Sequence, residues 1–436
     1  MTAKLRLIFD IANFSGQPTI TGVPRYVLEV LKRFIETGKF EIVTICSLPE
    51  EEFALRNFRR FFYNELPFQS KEVANYVLPD KPFSEEKSWL KKVEDTLNHY
   101  FTDSWVLKWV ADFCRAVKWK LSPPPFLSER KPSPFYKQLV RESDIYFSPF
   151  HPLIPELVEN PNICKVLIVH DLIPVIFADV YKGHRFFQKN PWESITPDVI
   201  VFTDSESTKR DLLKYYPHVS SDQVTSALLG VDDRFVPCSN RSLINRVLEK
   251  YSIPTEIPYI LSVATLDIRK NFDHVMNCFS RWLLPNRKTT DCYLVLTGSG
   301  GWQDKKFKKA YDHLPEPVKE KIIFTGYVDD ADLPLLYSGA ACFCYMSLYE
   351  GFGLPPLEAM KSGTPVITSN TSSLPEVVGD AGIMLDPHDE NGLTDAFDRL
   401  LNEEPLRNKM IQKGLLRAKK FSWDQCIETM LSKIPN

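Results

Sequence analysis

The sequence predicts an α/β protein built from two doubly wound domains, and three observations carry that reading. The chain has 436 residues, too many for one ordinary core and suited to two domains of about 200 residues each. Short, nearly continuous apolar runs alternate with stretches of helical spacing, as parallel strands covered on both faces and their crossover helices require. That alternation starts twice, once at Leu5 and again at Tyr259. The expected layout is residues 1–235 for a first domain, 236–420 for a second and 421–436 for a terminal helix.

The first strand, over 5–9, runs into Asp10 and a loop that ends Thr21-Gly22-Val23-Pro24-Arg25. Its apolar stretch is far too short for a secretory leader and is closed by a carboxylate. A helix follows, in which Val23, Val27, Val30, Leu31, Phe34 and Ile35 repeat at helical spacing until Gly38 stops the pattern. Residues 41–46 read as the next strand, completing a βαβ unit and implying a parallel sheet.

Residues 50–140 break the rhythm with many aromatics and a proline cluster at Pro123, Pro124 and Pro125, and read as an insertion. Within it, 104–121 carries Trp105, Trp109, Phe113 and Trp119, with Lys108, Asp112 and Arg115 on one narrow polar stripe. Such a helix is either buried in a core, or docks on a membrane surface or shapes an acceptor cleft. Strands resume over 145–148, 166–169, 199–203 and 223–228. A connection over 230–258 holds one helix, 242–251. The second set of strands spans 259–263, 292–297, 322–325, 341–345 and 365–368, and 423–434 reads as a terminal helix. In such sheets ligands lie beyond the carboxyl ends of the strands, so two domains set face to face enclose a central cleft.

Apolar residues make up 44% and charged residues 25%, the balance of a folded protein and not of a disordered one. A net charge of −3 and a pI near 6.3 exclude a chain whose business is wrapping nucleic acid, so an anionic ligand must be met by local charge. Nine cysteines lie scattered without Cys-x-x-Cys spacing, which reads as reduced core thiols in a cytoplasmic protein. The longest apolar stretch, 166–177, is interrupted by His170, Asp171 and Pro174 and falls short of the ~20 residues of a membrane span.

The segment with the sharpest chemistry is Tyr345-Met346-Ser347-Leu348-Tyr349-Glu350-Gly351-Phe352-Gly353-Leu354-Pro355-Pro356-Leu357-Glu358-Ala359-Met360. It joins a strand end, a Gly-x-Gly turn and prolines suited to a first helical turn. The amides of Gly351, Phe352, Gly353 and Leu354, together with the helix dipole, make an anion site. Glu350 on the loop and Glu358 in the first turn of the helix flank it. Each carboxylate can accept a pair of hydrogen bonds from adjacent hydroxyls, a natural way to hold a hexose and a ribose. The dipole alone also favours a Glu early in a helix, which is the structural alternative. Arg269 and Lys270 follow the first strand of the second set, where a diphosphate would lie. Two fixed cations can stabilise the charge that develops as a nucleoside diphosphate leaves, and no metal is then required. An Arg-Lys pair beside a strand is otherwise ordinary solvated surface.

Around these residues the chain resembles the retaining glycosyltransferases of family 4, also called glycosyl transferases group 1. Beyond Glu350-x7-Glu358, the resemblance rests on Ser262-Val263-Ala264-Thr265-Leu266-Asp267-Ile268-Arg269-Lys270-Asn271. It extends to Phe324-Thr325-Gly326-Tyr327-Val328 and to Ser369-Asn370-Thr371-Ser372-Ser373-Leu374-Pro375-Glu376-Val377, in the family's order and spacing. It covers the C-terminal half nearly throughout and the N-terminal half in patches. The resemblance implies the GT-B fold, two Rossmann-like domains face to face with a terminal helix crossing back to the first.

By the same resemblance, Arg269, Lys270, Glu350 and His170 are catalytic, with His170 of Val169-His170-Asp171 beside the donor sugar. There its carbonyl or ring stabilises positive charge near the anomeric carbon, and the departing phosphate oxygen takes the acceptor proton. A lone His beside an apolar run is, without that resemblance, more often structural. Donor binding is implied for Gly22, Thr325, Gly326, Tyr327, Gly351, Phe352, Gly353, Leu354 and Glu358, with the backbone of 325–327 meeting the nucleobase. Pro24 departs from the family's glycine loop, and its missing N–H removes one phosphate donor. Ser205-Glu206-Ser207 and Gly230-Val231-Asp232 match family landmarks and read as structural.

The implied activity is transfer of a hexose, mannose favoured, from a nucleotide sugar to a glycan or lipid-linked acceptor in polysaccharide or O-antigen-type synthesis. GDP-mannose is favoured over a UDP-sugar, with no further cofactor and no metal. The expected place is the cytoplasm, with peripheral membrane contact through 104–121. A phosphorylase would need a cofactor lysine in a matching motif, which is missing, and a glycoside hydrolase would not set its carboxylates around an anion site. The other class is an inactive scaffold acting through the Trp-rich insertion, against which the intact Glu350, Glu358, Arg269, Lys270 and His170 stand.

Overall fold

Leu5–Asp10 (β1), Phe40–Ile45 (β2), Ile145–Ser148 (β3), Cys164–Val169 (β4), Val199–Thr203 (β5) and Val224–Ser226 (β6) form one sheet in the order β2-β1-β3-β4-β5-β6. These positions come from a computed structural model that describes residues 4–11, 22–45, 134–180, 191–286, 291–298 and 305–435. The expected aromatic helix over 104–121, and nearly all of the insertion around it, lie outside the described residues. A second sheet joins Tyr259–Val263 (β7), Tyr293–Thr297 (β8), Ile322–Gly326 (β9), Cys342–Tyr345 (β10), Val366–Ser369 (β11) and Ile383–Leu385 (β12), in the order β12-β11-β10-β7-β8-β9. Pairings such as β1 with β2 and β7 with β8 are parallel. Two six-stranded parallel sheets with crossover helices are the α/β arrangement that the alternation predicts and match the GT-B fold that the resemblance implies.

Each sheet reverses direction once. In the first, β1 has β2 on one side and β3 on the other. In the second, the chain lays down β7, β8 and β9 outward, then returns so that β10 pairs with the opposite edge of β7. A reversal of this kind opens a crevice between the loops leaving the two central strands. Arg269 and Lys270 leave β7, and Glu350 leaves β10, so the second reversal is where those residues meet.

The cores follow from the apolar spacing. On the helix Val23–Glu36, Val27, Val30, Leu31 and Phe34 are buried, and Phe34 meets the Phe147 ring edge-on while Phe9 and Phe147 stack at 5.0 Å. In the second core, Val275, Met276, Phe279 and Trp282 of the helix Phe272–Asn286 pack with Leu294, Leu296 and Cys344. Cys278, Cys292, Cys342 and Cys344 are buried thiols there, and the described cysteines are all free. Burial pushes each of these four thiols up. Among the described residues no helix is long and apolar enough to cross a membrane.

One compact unit holds Met1–Leu167 and Lys189–Ser194, and the other holds Ile168–Gln188 and Ile195–Pro435, so the division falls inside β4. His170, β5 and β6 therefore cluster with the second sheet. The terminal helix, Trp423–Leu431, is capped by Ser422 and buries Trp423, Cys426, Ile427 and Met430. It returns to the segment after β6, the last strand of the first sheet: Cys426 Sγ lies 3.6 Å from the Ala227 carbonyl. A Cβ on Gly230 would stand 2.1 Å from the Trp423 nitrogen, so only glycine lets the two segments touch.

Three differences from the predicted elements have physical causes. β12 is three half-buried residues, too short to show a period. β6 ends at Ser226 and not at 228, because after it only Ala227 continues the pairing, through Thr203. The helix after Glu350 starts at Leu354 and has no acid in its first turn, so Glu358, its fifth residue, lies one turn further in than expected.

Candidate active site

Leaving β7, the chain turns sharply through Ile268–Lys270. The Asp267 side chain caps this turn by accepting from the Arg269 amide at 2.9 Å, as a short side-chain acceptor does at a helix start. Asn271 follows in the left-handed conformation, φ 56°, and its buried amide donates to the carbonyls of Met346 at 3.1 Å and Pro387 at 2.7 Å. The Arg269 carbonyl in turn accepts from Leu348 N at 2.7 Å. These bonds fasten the β7 turn to the loop leaving β10, which fixes the two cations against Glu350.

Glu350 is 9% exposed. Its Oε1 accepts from Lys270 Nζ at 2.6 Å, from Tyr345 OH at 2.9 Å and from Ser347 Oγ. Arg269 donates to the Tyr349 carbonyl at 3.0 Å and brings a guanidinium nitrogen to 3.9 Å from Oε2. Among the described residues Oε2 takes no hydrogen bond, so one face of the carboxylate is engaged and the other is available. Burial pushes this carboxyl up, but the charges of Lys270 and Arg269 and the bonds from Lys270 and Ser347 outweigh it and hold Glu350 below its ordinary value. Its backbone is equally fixed: the amide donates to Ser372 Oγ at 2.8 Å and the carbonyl accepts from Ser373 Oγ at 2.9 Å.

Beyond Glu350 the loop narrows to glycine for a steric reason. A Cβ on Gly351 would lie 2.2 Å from the His170 carbonyl oxygen and 2.9 Å from Asp171 Cβ. The Gly351 carbonyl accepts from Ser205 Oγ at 2.6 Å and Thr208 Oγ1 at 3.1 Å. Gly353 takes φ 118° at the N-cap of the helix Leu354–Lys361, a conformation that L side chains rarely adopt. Among the described residues no hydrogen bond engages the amides of Gly351, Phe352, Gly353 or Leu354, and Pro355 and Pro356 have no N–H to offer.

His170, at the end of β4, thus stands directly beside this loop. Its ring Nδ1 is 2.6 Å from Asp204 Oδ2, both groups buried. Burial pushes the Asp204 carboxyl up, against the pull of the His170 ring. Asp171 accepts from the Ile173 amide at 2.9 Å; burial pushes its carboxyl up too, with Arg269 and His170 drawing it down.

The structure therefore brings Arg269, Lys270, Glu350, Gly351 and His170 together, with Phe352, Gly353 and Leu354 on the same loop. Glu358 accepts from the buried Tyr337 hydroxyl at 3.0 Å. Thr325, Gly326 and Tyr327 close the edge strand β9, where Gly326 has φ 70°, Thr325 Oγ1 bonds Thr297 Oγ1 at 3.1 Å and the Tyr327 side chain is exposed. Gly22 caps the helix Val23–Glu36 within the first unit, with φ 59° and, among the described residues, nothing within 4 Å of where a Cβ would stand. Sequence reasoning missed Asp204, gave Tyr345 and Ser347 no role of their own though both lie in the segment it singled out, and read Ser205 as structural. The Ser369–Val377 motif did contain Ser372 and Ser373, without showing that they bond the Glu350 backbone. Among the described residues no three His, Cys, Asp or Glu side chains gather as metal ligands.

Comparison with known proteins bears on the same segment. The family described as glycosyl transferases group 1 matches residues 244–417. The O-antigen chain mannosyltransferase B of Escherichia coli is 34% identical over 243 residues, 56% of this chain and 62% of that protein. The serotype-specific mannosyltransferase WbdA, also from Escherichia coli, is 31% identical over 275 residues, 59% of this chain and 32% of that protein. The chain thus spans less than two thirds of each of these relatives. Among solved structures, HepE from Anabaena, in complex with UDP-glucose, superposes with a TM-score of 0.65 at 12% identity, covering 98% of each chain. At that identity the likeness concerns the fold alone. Residues 244–417 thus match the glycosyl transferases group 1 family, on a chain with the GT-B fold.

Proposed function

We propose that the chain is a retaining glycosyltransferase that moves a hexose, mannose favoured, from a nucleoside-diphosphate sugar to a glycan or lipid-linked acceptor. The observation that carries this is the buried Glu350 carboxylate, held ionised by Lys270 and Arg269 beside four unengaged amides at the reversal of a parallel sheet. Such amides at a helix start suit a phosphate, and the two cations suit a diphosphate whose charge grows as it leaves. Glu350 Oε2 accepts from a hydroxyl of the sugar, since Oε1 is taken by Lys270, Tyr345 and Ser347.

In the reaction the bond from the anomeric carbon to the phosphate oxygen breaks, and the acceptor oxygen bonds the same face. The acceptor proton passes to the departing phosphate oxygen. No side chain need act as base, and Arg269 with Lys270 supplies the positive charge that a metal would otherwise provide. Mannose and GDP-mannose are supported by the mannosyltransferases named above, as is an O-antigen-type acceptor. The reaction is placed in the cytoplasm, where nucleotide sugars are available.

A donor screen tests the reading. Purified protein is incubated with GDP-mannose and UDP-glucose, and slow hydrolysis and thermal stabilisation are followed, with proton NMR reporting the anomeric configuration of the first product. GDP-mannose turnover with the α-configuration kept is the expected result. Absence of both stabilisation and hydrolysis with every nucleotide sugar would sink the transferase reading, and inversion at the anomeric carbon would sink its retaining course.

A further inference from the structure

Asp171 follows the end of β4 and is only partly buried. The backbone on either side of it is fastened. The His170 carbonyl accepts from Thr208 Oγ1 at 3.2 Å, and the Leu172 amide donates to the Tyr349 hydroxyl, which itself donates to Asp211 at 2.7 Å. Asp171 Oδ1 accepts from the Ile173 amide at 2.9 Å and so closes the turn into the short helix Ile173–Ile176. Among the described residues Oδ2 takes no hydrogen bond. The turn needs only one acceptor, which an asparagine or serine side chain would supply equally well. Neither would carry a charge that burial penalises, as it penalises this one. The carboxyl also lies at the site. A Cβ on Gly351 would stand 2.9 Å from Asp171 Cβ, and Arg269 and Glu350 are close enough to act on the carboxyl electrostatically.

We propose that Asp171 binds the acceptor, with Oδ2 accepting from a hydroxyl of the acceptor sugar other than the one that attacks. An ionised carboxylate only accepts hydrogen bonds, so it matches a hydroxyl and repels a phosphate. The bond to it is charge-assisted, and it offsets the cost of burying an unmatched carboxylate oxygen. Glu350 Oε2, on the loop leaving β10, already serves a hydroxyl of the donor. Asp171 reaches that loop from the end of β4 and offers a second carboxylate for a second sugar. The attacking hydroxyl stays free of Asp171 and gives its proton to the departing phosphate oxygen. Assigning the hydroxyl to an acceptor rests on the transferase reading, whereas the open carboxylate oxygen does not.

Carbon-13 NMR of the full chain, labelled at the aspartate carboxyls, tests the site, with the Asp171 resonance assigned by its loss in Asp171→Ser. That variant keeps an oxygen for the Ile173 amide. Methyl α-mannoside added in the presence of GDP is the probe, and GDP-mannose alone is the control. The Asp171 resonance is expected to move with the mannoside. In transfer from GDP-mannose, Asp171→Ser should raise KM for methyl α-mannoside about 10- to 100-fold, the loss that follows removal of a charged hydrogen-bond partner, while KM for GDP-mannose stays within about threefold. One monodeoxy mannoside should show a matching loss with the wild type and none with Asp171→Ser, a result that a merely structural role would not give. A resonance that ignores the mannoside, or that answers GDP-mannose alone as strongly, overturns the proposal, as does an equal effect of the variant on both KM values. Should Asp171→Ser fail to fold, Asp171→Asn supplies the assignment and the wild-type titrations decide. If the resonance answers the mannoside but no donor turns over, the hydroxyl site stands and the transferase reading falls. If donors turn over and the variant's KM for the mannoside is unchanged, the reading stands and the proposal falls.

Discussion

Gly351→Ala gives the sharpest quantitative prediction. The added Cβ would lie 2.2 Å from the His170 carbonyl oxygen, whereas carbon and carbonyl oxygen rest at about 3.3 Å even in their closest favourable contacts. The shortfall is ~1 Å, and Asp171 Cβ at 2.9 Å blocks the neighbouring direction. The loop cannot yield freely, because Ser205 and Thr208 hold the Gly351 carbonyl, two bonds that contribute about 1 kcal/mol each. Overpacking of this kind costs about 1–3 kcal/mol, so unfolding in urea should show a loss of about that size with the fold retained. The larger effect is on catalysis, since moving the Glu350 loop against His170 by ~1 Å should lower kcat/KM about 100-fold. The assay is donor hydrolysis together with urea unfolding, with Gly22→Ala as the comparison. That second glycine also has positive φ but, among the described residues, meets nothing within 4 Å, so its substitution should cost only about 1–2 kcal/mol of backbone strain. If Gly351→Ala kept more than half of the wild-type kcat/KM, the close approach of the two loops would be refuted.

Other perturbations separate charge from shape. Glu350→Gln leaves Lys270 and Arg269 without their carboxylate, and breaking a buried pair of this kind costs about 3–5 kcal/mol; urea unfolding should show that loss at neutral pH along with loss of turnover. Because Glu350 titrates below its ordinary 4.5 in the folded chain, its stabilising contribution is complete above that value and is lost as pH falls through the lowered one. The stability gap between wild type and Glu350→Gln should therefore be constant from pH 7 to 5 and close only on further acidification; a gap that closed above pH 5 would contradict the direction of the shift. Turnover should persist in excess EDTA, since Arg269 and Lys270 supply the cationic charge, and a metal requirement restored by magnesium would assign that work elsewhere. Gly230→Ala would set a Cβ 2.1 Å from the Trp423 nitrogen, so limited proteolysis should release the terminal helix Trp423–Leu431 faster than in wild type, and equal rates would place that contact elsewhere.

Much of this arrangement is readable from residue order because its signals are local. β10 is Cys342-Phe343-Cys344-Tyr345, all buried, and no other element type accommodates four such residues between Ala341 and the loop. Glu350, Gly351 and Gly353 announce a turn and a helix start by their spacing. Arg269 and Lys270 are marked by the strand before them and by the neighbouring Asn271, a residue type able to take the left-handed turn. The positions that escaped are those whose partners are distant in sequence or carry no pattern of their own. Tyr345 at the end of β10 and Ser347 on the loop after it bond Glu350, yet a Ser and a Tyr near a strand end look like many others. Asp204 and His170 are 34 residues apart, and only the adjacency of β4 and β5 brings them to one another. The position of Glu358 escapes for a different reason: Gly353 in the left-handed region delays the helix to Leu354, a conformational fact that the two prolines do not reveal.

The same contrast explains why the site tolerates its own charge. Three ionisable groups, Glu350, Lys270 and Arg269, lie buried together, which is unfavourable unless every lone pair and proton is satisfied. Here Oε1 of Glu350 has three donors, Lys270 also bonds the Tyr345 hydroxyl at 2.7 Å, and Arg269 uses the Tyr349 carbonyl. The uncommitted acceptor is Glu350 Oε2, and the uncommitted donors are the amides that come after it. Both lie at the reversal between β7 and β10. One carboxylate oxygen and a row of amides that take no hydrogen bond among the described residues, with Oε1, Lys270 and Arg269 bonded behind them, suit a molecule with a hydroxyl and an anion a few ångströms apart. A nucleoside-diphosphate sugar has that pair of groups on either side of the bond to be broken, and under the function proposed above these open groups are the ones it would meet.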